Sequence, residues 1–223
     1  MELFDQKKDN KSLTTLIFEK IREDILNDVY KNDEKIIEAK VAEEMGVSRT
    51  PVREAIKQLE LDGLVENIPN RGVIVKGVTA QDVEDIYTMR LAIEGIAAKW
   101  SVERMSEDSL RDLKDVYELM EFYTVKKDIE KIFELNTRFH EVIYKASSSR
   151  YLEHVLTDFQ QFIKSTRKSS LASEGRVEEA LKEHKQILDA FLAKDIKAAT
   201  DALIYHIEHS KWNAGKMVDR TTK

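Results

Sequence analysis

The stretch VSRTPVREAIKQLELDGL, residues 47–64, decides how the first part of this chain is interpreted. It places Arg49, Pro51 and Arg53 within five residues, and Lys57 follows four residues after the second arginine. The chain of 223 residues is acidic as a whole, with a net charge of −6. Because a protein that coats nucleic acid without selectivity is usually basic, any anion binding must come from a local patch such as this one.

The residues of this stretch predict a helix with a defined start. Proline is tolerated in the first helical turn, where its missing N–H is no loss. Thr50 is therefore predicted as the N-cap of a helix over residues 50–62, with Ser48 as the alternative. Arg53 and Lys57 lie one turn apart on its outward side. The opposite side, which faces the core, carries Val52, Ile56 and Leu59.

The outward side of this helix is suited to bind an anion. Arg49 is expected just before the helix, whose N-terminus itself favours negative charge. Arginine can also read guanine through a pair of hydrogen bonds in the major groove. The alternative is that Arg53 and Lys57 only pair with nearby carboxylates, such as Glu54 and Glu60, on a solvated face.

The residues before this helix predict a helix-turn-helix. A short helix is expected at about residues 38–45. Ala42, Gly46 and Val52 follow one another at intervals of four and six residues. They supply the small contact residue, the turn glycine and the apolar anchor of the second helix that this motif needs. Gly46 can take the positive φ that the turn requires.

The residues after the helix predict a β-hairpin wing. GLVENI and GVIVKG are expected as two short strands joined by the turn Pro69–Gly72. Arg71 would then lie at the tip of the wing, near the DNA backbone or the minor groove. At the other end of the motif, Ser12 is the expected N-cap of a first helix whose apolar residues recur at helical spacing as far as Val29.

The composition limits the class of protein. Hydrophobic residues make up 42% of the chain, charged residues 35%, and glycine and proline are rare at 7 and 2. This profile favours a helix-rich globular protein. The absence of cysteine excludes disulfides, thiolate metal sites and a cysteine nucleophile. With no apolar run long enough to span a membrane and no signal-peptide pattern in residues 1–11, we expect a cytoplasmic protein without a membrane partner.

The second part of the chain has a different pattern. Four of the seven glycines and both prolines lie in residues 46–77, and residues that break helices are rare after this range. We therefore predict a DNA-binding domain over residues 1–78 and a helical domain over residues 79–223. The expected fold is mainly α with a small β-hairpin: a winged helix-turn-helix followed by an all-α bundle of about six helices. The apolar residues expected to mark the first bundle helix are Val83, Ile86, Tyr87, Leu91 and Ile93.

Three of the five histidines fall on or beside apolar faces of predicted helices: His140, His184 and His206. Imidazoles from three helices that converge in a bundle core would form a site for a divalent metal such as Zn²⁺ or Ni²⁺. Spacing alone leaves the alternative of three separate core histidines, each with its own hydrogen bond. His154 and His209 are predicted at the surface.

At the helix-turn-helix the chain resembles the GntR family of bacterial transcriptional regulators. GVSRTPVREAIKQLELDGLV is similar to the family's motif nearly residue for residue, and PNRGVIV is similar to its wing. The resemblance implies DNA contacts at Ser48, Arg49, Thr50, Arg53 and Gly72. Asn32–Asp33 departs from the pattern, because the family usually has Pro-Gly in this loop; we expect a changed loop and an intact fold.

The helical part resembles the FadR-type C-terminal effector domain of that family, known as FCD, in YTMRLAIEGIAA, NTRFHEVIYKAS and EHKQILDAFLAKD. The resemblance implies a divalent metal held by Asn136, His140, His184 and His206. An amide oxygen at residue 136 is a weaker ligand than the commoner aspartate. Arg90 matches an arginine that could approach the carboxylate of a small organic-acid effector. Its alternative is an ion pair with Glu94, one turn further along.

The hypothesis that follows is a sequence-specific, effector-responsive transcriptional regulator. One helix-turn-helix reads few bases, so a homodimer on a pseudo-palindromic double-stranded operator is expected. The helical domain would couple a metal and a small carboxylate to DNA affinity. Two alternatives stand beside it. One is a metalloenzyme with a DNA-binding head, although no His-Glu-x-x-His motif is present. The other is a pure metal sensor.

Overall fold

A computed structural model describes residues 11–164, 173 and 175–221, with side chains described as far as Ala214. Within that part the chain forms nine helices and one three-stranded sheet. It divides into two compact units between Thr79 and Ala80, one residue beyond the predicted end of the first domain. None of the described helices is long and apolar enough to cross a membrane.

The first unit is a winged helix-turn-helix, as predicted. Its three strands form an antiparallel sheet in the order β1-β3-β2. In chain order, the elements are α1 (Leu13–Leu26), β1 (Lys35–Ile36), α2 (Glu38–Glu44), α3 (Arg49–Leu61), β2 (Val65–Ile68) and β3 (Gly72–Val75).

Helix α1 begins where the sequence predicts and ends earlier than expected. Ser12 is its N-cap, and the hydroxyl oxygen accepts a hydrogen bond of 3.1 Å from the backbone N–H of Thr15. The helix stops at Leu26, and Val29 is 64% exposed instead of continuing the buried stripe. Asp33, in the loop that departs from the family pattern, has a φ of 65°. It therefore takes the left-handed backbone conformation that glycine favours.

Strand β1 was not predicted, because two residues carry no alternation pattern of their own. Lys35 pairs with Ile74 and Ile36 with Val73, so that β1 is recognisable only from its partner strand. The wing strands were predicted, and their register places Val65 opposite Val75. The buried side of this small sheet covers the helices of the same unit, since Ile36 and Val75 are almost fully buried.

The turn of the helix-turn-helix forms as predicted, but α3 begins earlier than expected. Gly46 has a φ of 65°. Ser48, the alternative cap, is the N-cap, and its side chain makes no capping hydrogen bond within the described residues. Thr50 is therefore inside the helix, and Arg49 is its first residue. Pro51 permits both starts, because the N–H groups of the whole first turn lack partners in the helix.

The second unit is a helical bundle with six helices among the described residues, in agreement with the predicted architecture. They are α4 (Ala80–Arg104), α5 (Glu107–Lys126), α6 (Ile129–Ala146), α7 (Arg150–Phe162), α8 (Arg176–Leu192) and α9 (Ile196–Thr221). Helix α9 packs against α4 and α8, and α6 packs against α4, α5 and α7. Side chains with 0% exposure that fill the core between them include Leu113, Phe139, Ile143, Leu156, Ile187 and Leu203.

Helix α4 corrects one expectation about the core. Of its predicted apolar positions, Leu91 and Ile93 are only half-buried. The buried face contains Arg90 and Glu94 instead, with exposures of 1% and 0%. Apolar periodicity could not find this face, because part of it is a buried ion pair.

Candidate functional site

The outward side of α3 carries the residues predicted to contact DNA. Ser48, Arg49, Thr50, Arg53 and Lys57 are all exposed. The inward side packs Val52, Ala55 and Leu59 at 0% exposure. A helix held by one face in this way presents its N-terminal residues to solvent, as a recognition helix must.

Two of these exposed cations already have carboxylate partners. Lys57 Nζ lies 2.9 Å from Glu54 Oε1, as the local-pairing alternative expected. Arg53 pairs instead with Glu38 at the start of α2, through Nη2 to Oε2 at 3.0 Å. Glu60 has a different partner, since its Oε1 accepts a hydrogen bond of 3.0 Å from the backbone N–H of Asn67. Pairing and exposure therefore coexist on this surface.

The wing presents a further cation. Asn70 and Gly72 have φ values of 64° and 86°, which close the turn between β2 and β3. Arg71 lies between them and is exposed. The turn thus places Arg71 at the end of the hairpin, as predicted. Its contact with DNA stays a prediction, as do the contacts of the α3 residues.

The second unit brings together the three histidines that were predicted to converge. His140 on α6, His184 on α8 and His206 on α9 have exposures of 1%, 0% and 3%. Each offers one ring nitrogen, and these atoms all lie within 4.8 Å of one another. His140 Nε2 and His206 Nε2 are 3.1 Å apart. One ion could contact all three, because nitrogen ligands bind Zn²⁺ at about 2.0–2.1 Å.

Neighbouring acceptors orient two of the rings. His184 Nδ1 donates to the backbone carbonyl of Ala180 at 2.6 Å, and His206 Nδ1 donates to Glu183 Oε2 at 2.6 Å. Both Nε2 atoms are then left for the cluster. His184 Nε2 is buried and has no hydrogen-bond partner among the described residues. A buried imidazole nitrogen of this kind fits a metal ligand.

Glu183 is a functional candidate that the sequence reasoning missed. Arg176 holds it with two hydrogen bonds, Nη1 to Oε1 at 2.6 Å and Nη2 to Oε2 at 2.8 Å. His209, predicted at the surface, is only partly exposed and its Nδ1 lies 3.0 Å from Glu183 Oε1. The position of Glu183 directly before His184 was a signal that could have found it. Its partners were not visible in the sequence, because Arg176 lies on a different turn of α8 and His206 lies on α9.

Burial favours the neutral form of two of the three rings. Burial lowers the pKa of His184 well below its ordinary value. Burial also lowers the pKa of His206, although the hydrogen bond to Glu183 opposes the shift. For Glu183 burial raises the pKa, but the hydrogen bonds from His206 and Arg176 outweigh burial and lower it overall. Neutral imidazole, which binds metal, is therefore the favoured form of His184 and His206.

The other predicted residues of this region have mixed outcomes. Asn136 is buried, at 3% exposure, one helical turn before His140 on α6. Its role as a fourth ligand stays a prediction. His154 is at the surface, as predicted, 3.5 Å from Asp158. His206 occupies the inward position on α9, so His209 does not replace it.

Arg90 forms the ion pair that was one of its two predicted alternatives. Its Nε and Nη2 donate to Glu94 Oε1 at 2.9 Å and 2.6 Å. The Tyr144 hydroxyl donates to the same oxygen at 2.7 Å and accepts from Gln160 Nε2 at 3.2 Å. Within the described part of the chain, Glu94 Oε2 and Gln160 Oε1 have no hydrogen-bond partner. The effector contact of Arg90 stays a prediction.

A cavity of about 290 Å³ lies between α6 and α7. Gln160, which is buried, is part of its wall and connects it through the Tyr144 hydroxyl to the Arg90–Glu94 pair. The described residues that line the cavity are Phe133, Glu134, Thr137, Glu141, Gln160, Gln161 and Lys164.

A winged helix-turn-helix joined to a helical bundle with a buried histidine cluster defines the class of DNA-binding regulators with a separate helical domain. Comparison with known families agrees. Residues 13–75 match "Bacterial regulatory proteins, gntR family", and residues 85–209 match the "FCD domain". The chain belongs to the GntR family of transcriptional regulators and has an FCD C-terminal domain. It is a DNA-binding regulator and not an enzyme, so the metalloenzyme alternative is set aside.

Similar proteins support the same assignment. The "Uncharacterized HTH-type transcriptional regulator YdhC" of Bacillus subtilis (strain 168) is 31% identical over 194 residues, which cover 86% of each chain. The "Gluconate operon transcriptional repressor" of the same organism is 25% identical, over 86% of this chain and 79% of the repressor. The solved structure of "E. coli McbR/YncC" shares the fold with a TM-score of 0.76 at 21% identity, over 96% of this chain and 100% of the other.

Proposed function

We propose that this regulator binds a pseudo-palindromic operator as a homodimer, and that a divalent metal and a small ligand in the helical unit control its affinity for that operator. The DNA-contacting residues proposed are Ser48, Arg49, Thr50, Arg53, Lys57, Arg71 and Gly72. All of them except the half-buried Gly72 are exposed on α3 or on the wing, which supports this role. A dimer is proposed because one recognition helix contacts only a few bases, and two-fold symmetry doubles the site.

The convergence of three buried histidines is the observation that carries the proposal for a metal. His140, His184 and His206 would hold the ion, with Asn136, one turn before His140 on α6, as a further ligand. Zn²⁺ and Ni²⁺ suit such a nitrogen-rich set. The alternative of three separate core histidines, each with its own partner, explains His184 less well, because its Nε2 is buried and lacks a partner among the described residues.

The charge balance of the site suggests how a carboxylate effector would be recognised. Glu94 neutralises Arg90, and both are buried. Arg90 is the proposed contact for the carboxylate of the ligand, and a divalent ion on the histidines would add positive charge beside it, because Glu94 offsets the charge of Arg90. The unpartnered oxygens of Glu94 and Gln160 would accept hydrogen bonds from hydroxyl groups of the same ligand. A small hydroxylated organic acid fits this combination, and a gluconate operon repressor is among the relatives.

The proposal is tested on the purified full-length protein. Its operator is first selected from a pool of random duplexes, and bound metal is measured by elemental analysis. Operator affinity is then compared for the metal-free and the metal-loaded protein, and for His184→Ala. If metal changes affinity without any organic ligand, the metal is itself the signal, as in the pure metal sensor. If wild type and His184→Ala hold equally little Zn²⁺ or Ni²⁺ at micromolar concentrations, the metal site is wrong.

A further inference from the structure

The guanidinium of Arg53 is held along one edge by Glu38. Arg53 Nη2 lies 3.0 Å from Glu38 Oε2, and Nε lies 3.4 Å from Oε1. Two parallel contacts of this kind fix the plane of a guanidinium as well as its position. The pair joins the first residue of α2 to the exposed side of α3, across 15 residues of sequence.

This pair differs from the ion pair of Lys57 and Glu54 on the same surface. Lys57 and Glu54 lie on one helix, three residues apart, and their side chains are 59% and 51% exposed. Arg53 is equally exposed at 58%, but the Glu38 side chain is only 28% exposed. Glu38, at the start of α2, is therefore the less exposed member of the pair, and the guanidinium of Arg53 that it contacts remains accessible to solvent.

The edge that Glu38 occupies leaves the other edge of the guanidinium for DNA. Arginine has five N–H donors in a rigid fork. The Nε–Nη2 edge faces Glu38, so the Nη1–Nη2 edge is left to donate elsewhere. Two donors on one edge are what a bidentate contact to guanine O6 and N7 requires. A phosphate, by contrast, accepts a cation from many directions.

We propose that Glu38 is a positioning residue for DNA recognition, which holds Arg53 so that it reads base edges instead of binding any nearby phosphate. The inference rests on the DNA contact of Arg53 given under the proposed function. It assigns a sequence-reading role to an acidic residue on the helix before the recognition helix. The charge of Glu38 also weakens the attraction of unrelated DNA, because it offsets one arginine.

The test compares the selected operator with a shuffled duplex of the same composition. Dissociation constants for both duplexes are measured with full-length protein at about 50 mM and about 200 mM salt, because contacts to phosphate weaken over this range. The variants are Glu38→Gln and the matched control Glu54→Gln, which removes the same charge from the same surface. A third variant, Glu38→Asp, keeps the charge and shortens the side chain.

We expect Glu38→Gln to lower the ratio of operator affinity to shuffled-duplex affinity by roughly tenfold, the size of one good base contact. Both glutamine variants should bind the shuffled duplex more tightly and to a similar extent, while Glu54→Gln keeps the wild-type ratio. Glu38→Asp should also lower the ratio of operator affinity to shuffled-duplex affinity, but it should leave the affinity for the shuffled duplex unchanged. In an Arg53→Ala background, Glu38→Gln should leave the ratio unchanged, because nothing remains to be positioned. Thermal unfolding checks that each variant is folded.

The inference is overturned if folded Glu38→Gln keeps or raises the wild-type ratio. A raised ratio would show that Glu38 competes with DNA for Arg53. It is also overturned if the loss persists in the Arg53→Ala background, since Glu38 would then act through α2 itself. A wild-type protein that selects no sequence from the random pool would instead contradict the proposed operator binding, which separates the two failures.

Discussion

His206 donates a hydrogen bond of 2.6 Å from Nδ1 to the carboxylate of Glu183. This bond fixes the neutral tautomer of the ring, with the proton on Nδ1 and the lone pair of Nε2 towards His140 and His184. Glu183 is in turn held by Arg176. The three side chains form an ordered support behind the candidate metal site, of the kind that tunes ligand orientation and basicity.

Replacement of Glu183 should therefore weaken metal binding without touching a ligand. We expect Glu183→Gln to lower Zn²⁺ affinity by about 10- to 100-fold, because the His206 ring loses its charged acceptor. Competition with a chromophoric chelator measures the affinity. Glu178→Gln is the matched control, since Glu178 lies in the first turn of α8 and is exposed. Equal affinities for the two variants would contradict the support role.

Metal should stabilise the helical unit through the histidines. At a free Zn²⁺ concentration of about 100 times the dissociation constant, binding adds roughly 2.7 kcal/mol to the free energy of unfolding. The two tryptophans, Trp100 and Trp212, both lie in the second unit and report its unfolding by fluorescence. The Zn²⁺-dependent rise in Tm should disappear in His184→Ala and persist in His154→Ala, whose histidine is exposed. A rise of the same size in both variants would exclude the three-histidine site.

Removal of only one partner of the buried Arg90–Glu94 pair should destabilise the second unit. We expect Arg90→Met to destabilise the second unit by about 3–5 kcal/mol, because it leaves the Glu94 carboxylate buried without its cation. The double variant Arg90→Met/Glu94→Met should recover most of that loss, since two apolar side chains then replace the pair. Urea unfolding followed by tryptophan fluorescence provides both values. A double variant as unstable as the single one would mean that packing, not charge, dominates at this position.

Arg49 should contribute to DNA affinity, because it is exposed at the start of α3. We expect Arg49→Ala to weaken operator binding. If the contact is to phosphate, the slope of log affinity against log salt concentration should also become shallower by about one unit. Fluorescence anisotropy across a salt series measures both. Arg111→Ala is the control, because Arg111 is an exposed arginine of the second unit, paired with Asp108. Unchanged affinity and slope for Arg49→Ala would remove this residue from the interface.

The N-terminal unit was largely predictable because its signals are local. Gly46, Pro51 and the apolar positions of α3 specify a turn, a helix start and a buried face through neighbours a few residues away. The N-cap of α3 is the alternative, Ser48, two residues before the first choice, Thr50, since a proline in the first turn permits either cap. Strand β1 was missed, because two residues such as Lys35 and Ile36 become a strand only beside β3.

The sequence by itself determined the class of protein: a winged helix-turn-helix with an outward cationic side, followed by a helical bundle with histidines on three inward faces. Only the tertiary structure decided partners. It paired Arg53 with Glu38 and His206 with Glu183, and it brought His140 and His206, which are 66 residues apart, to a common centre. The physical reason is range: helical periodicity acts over three or four residues, whereas which side chains meet depends on how distant helices pack.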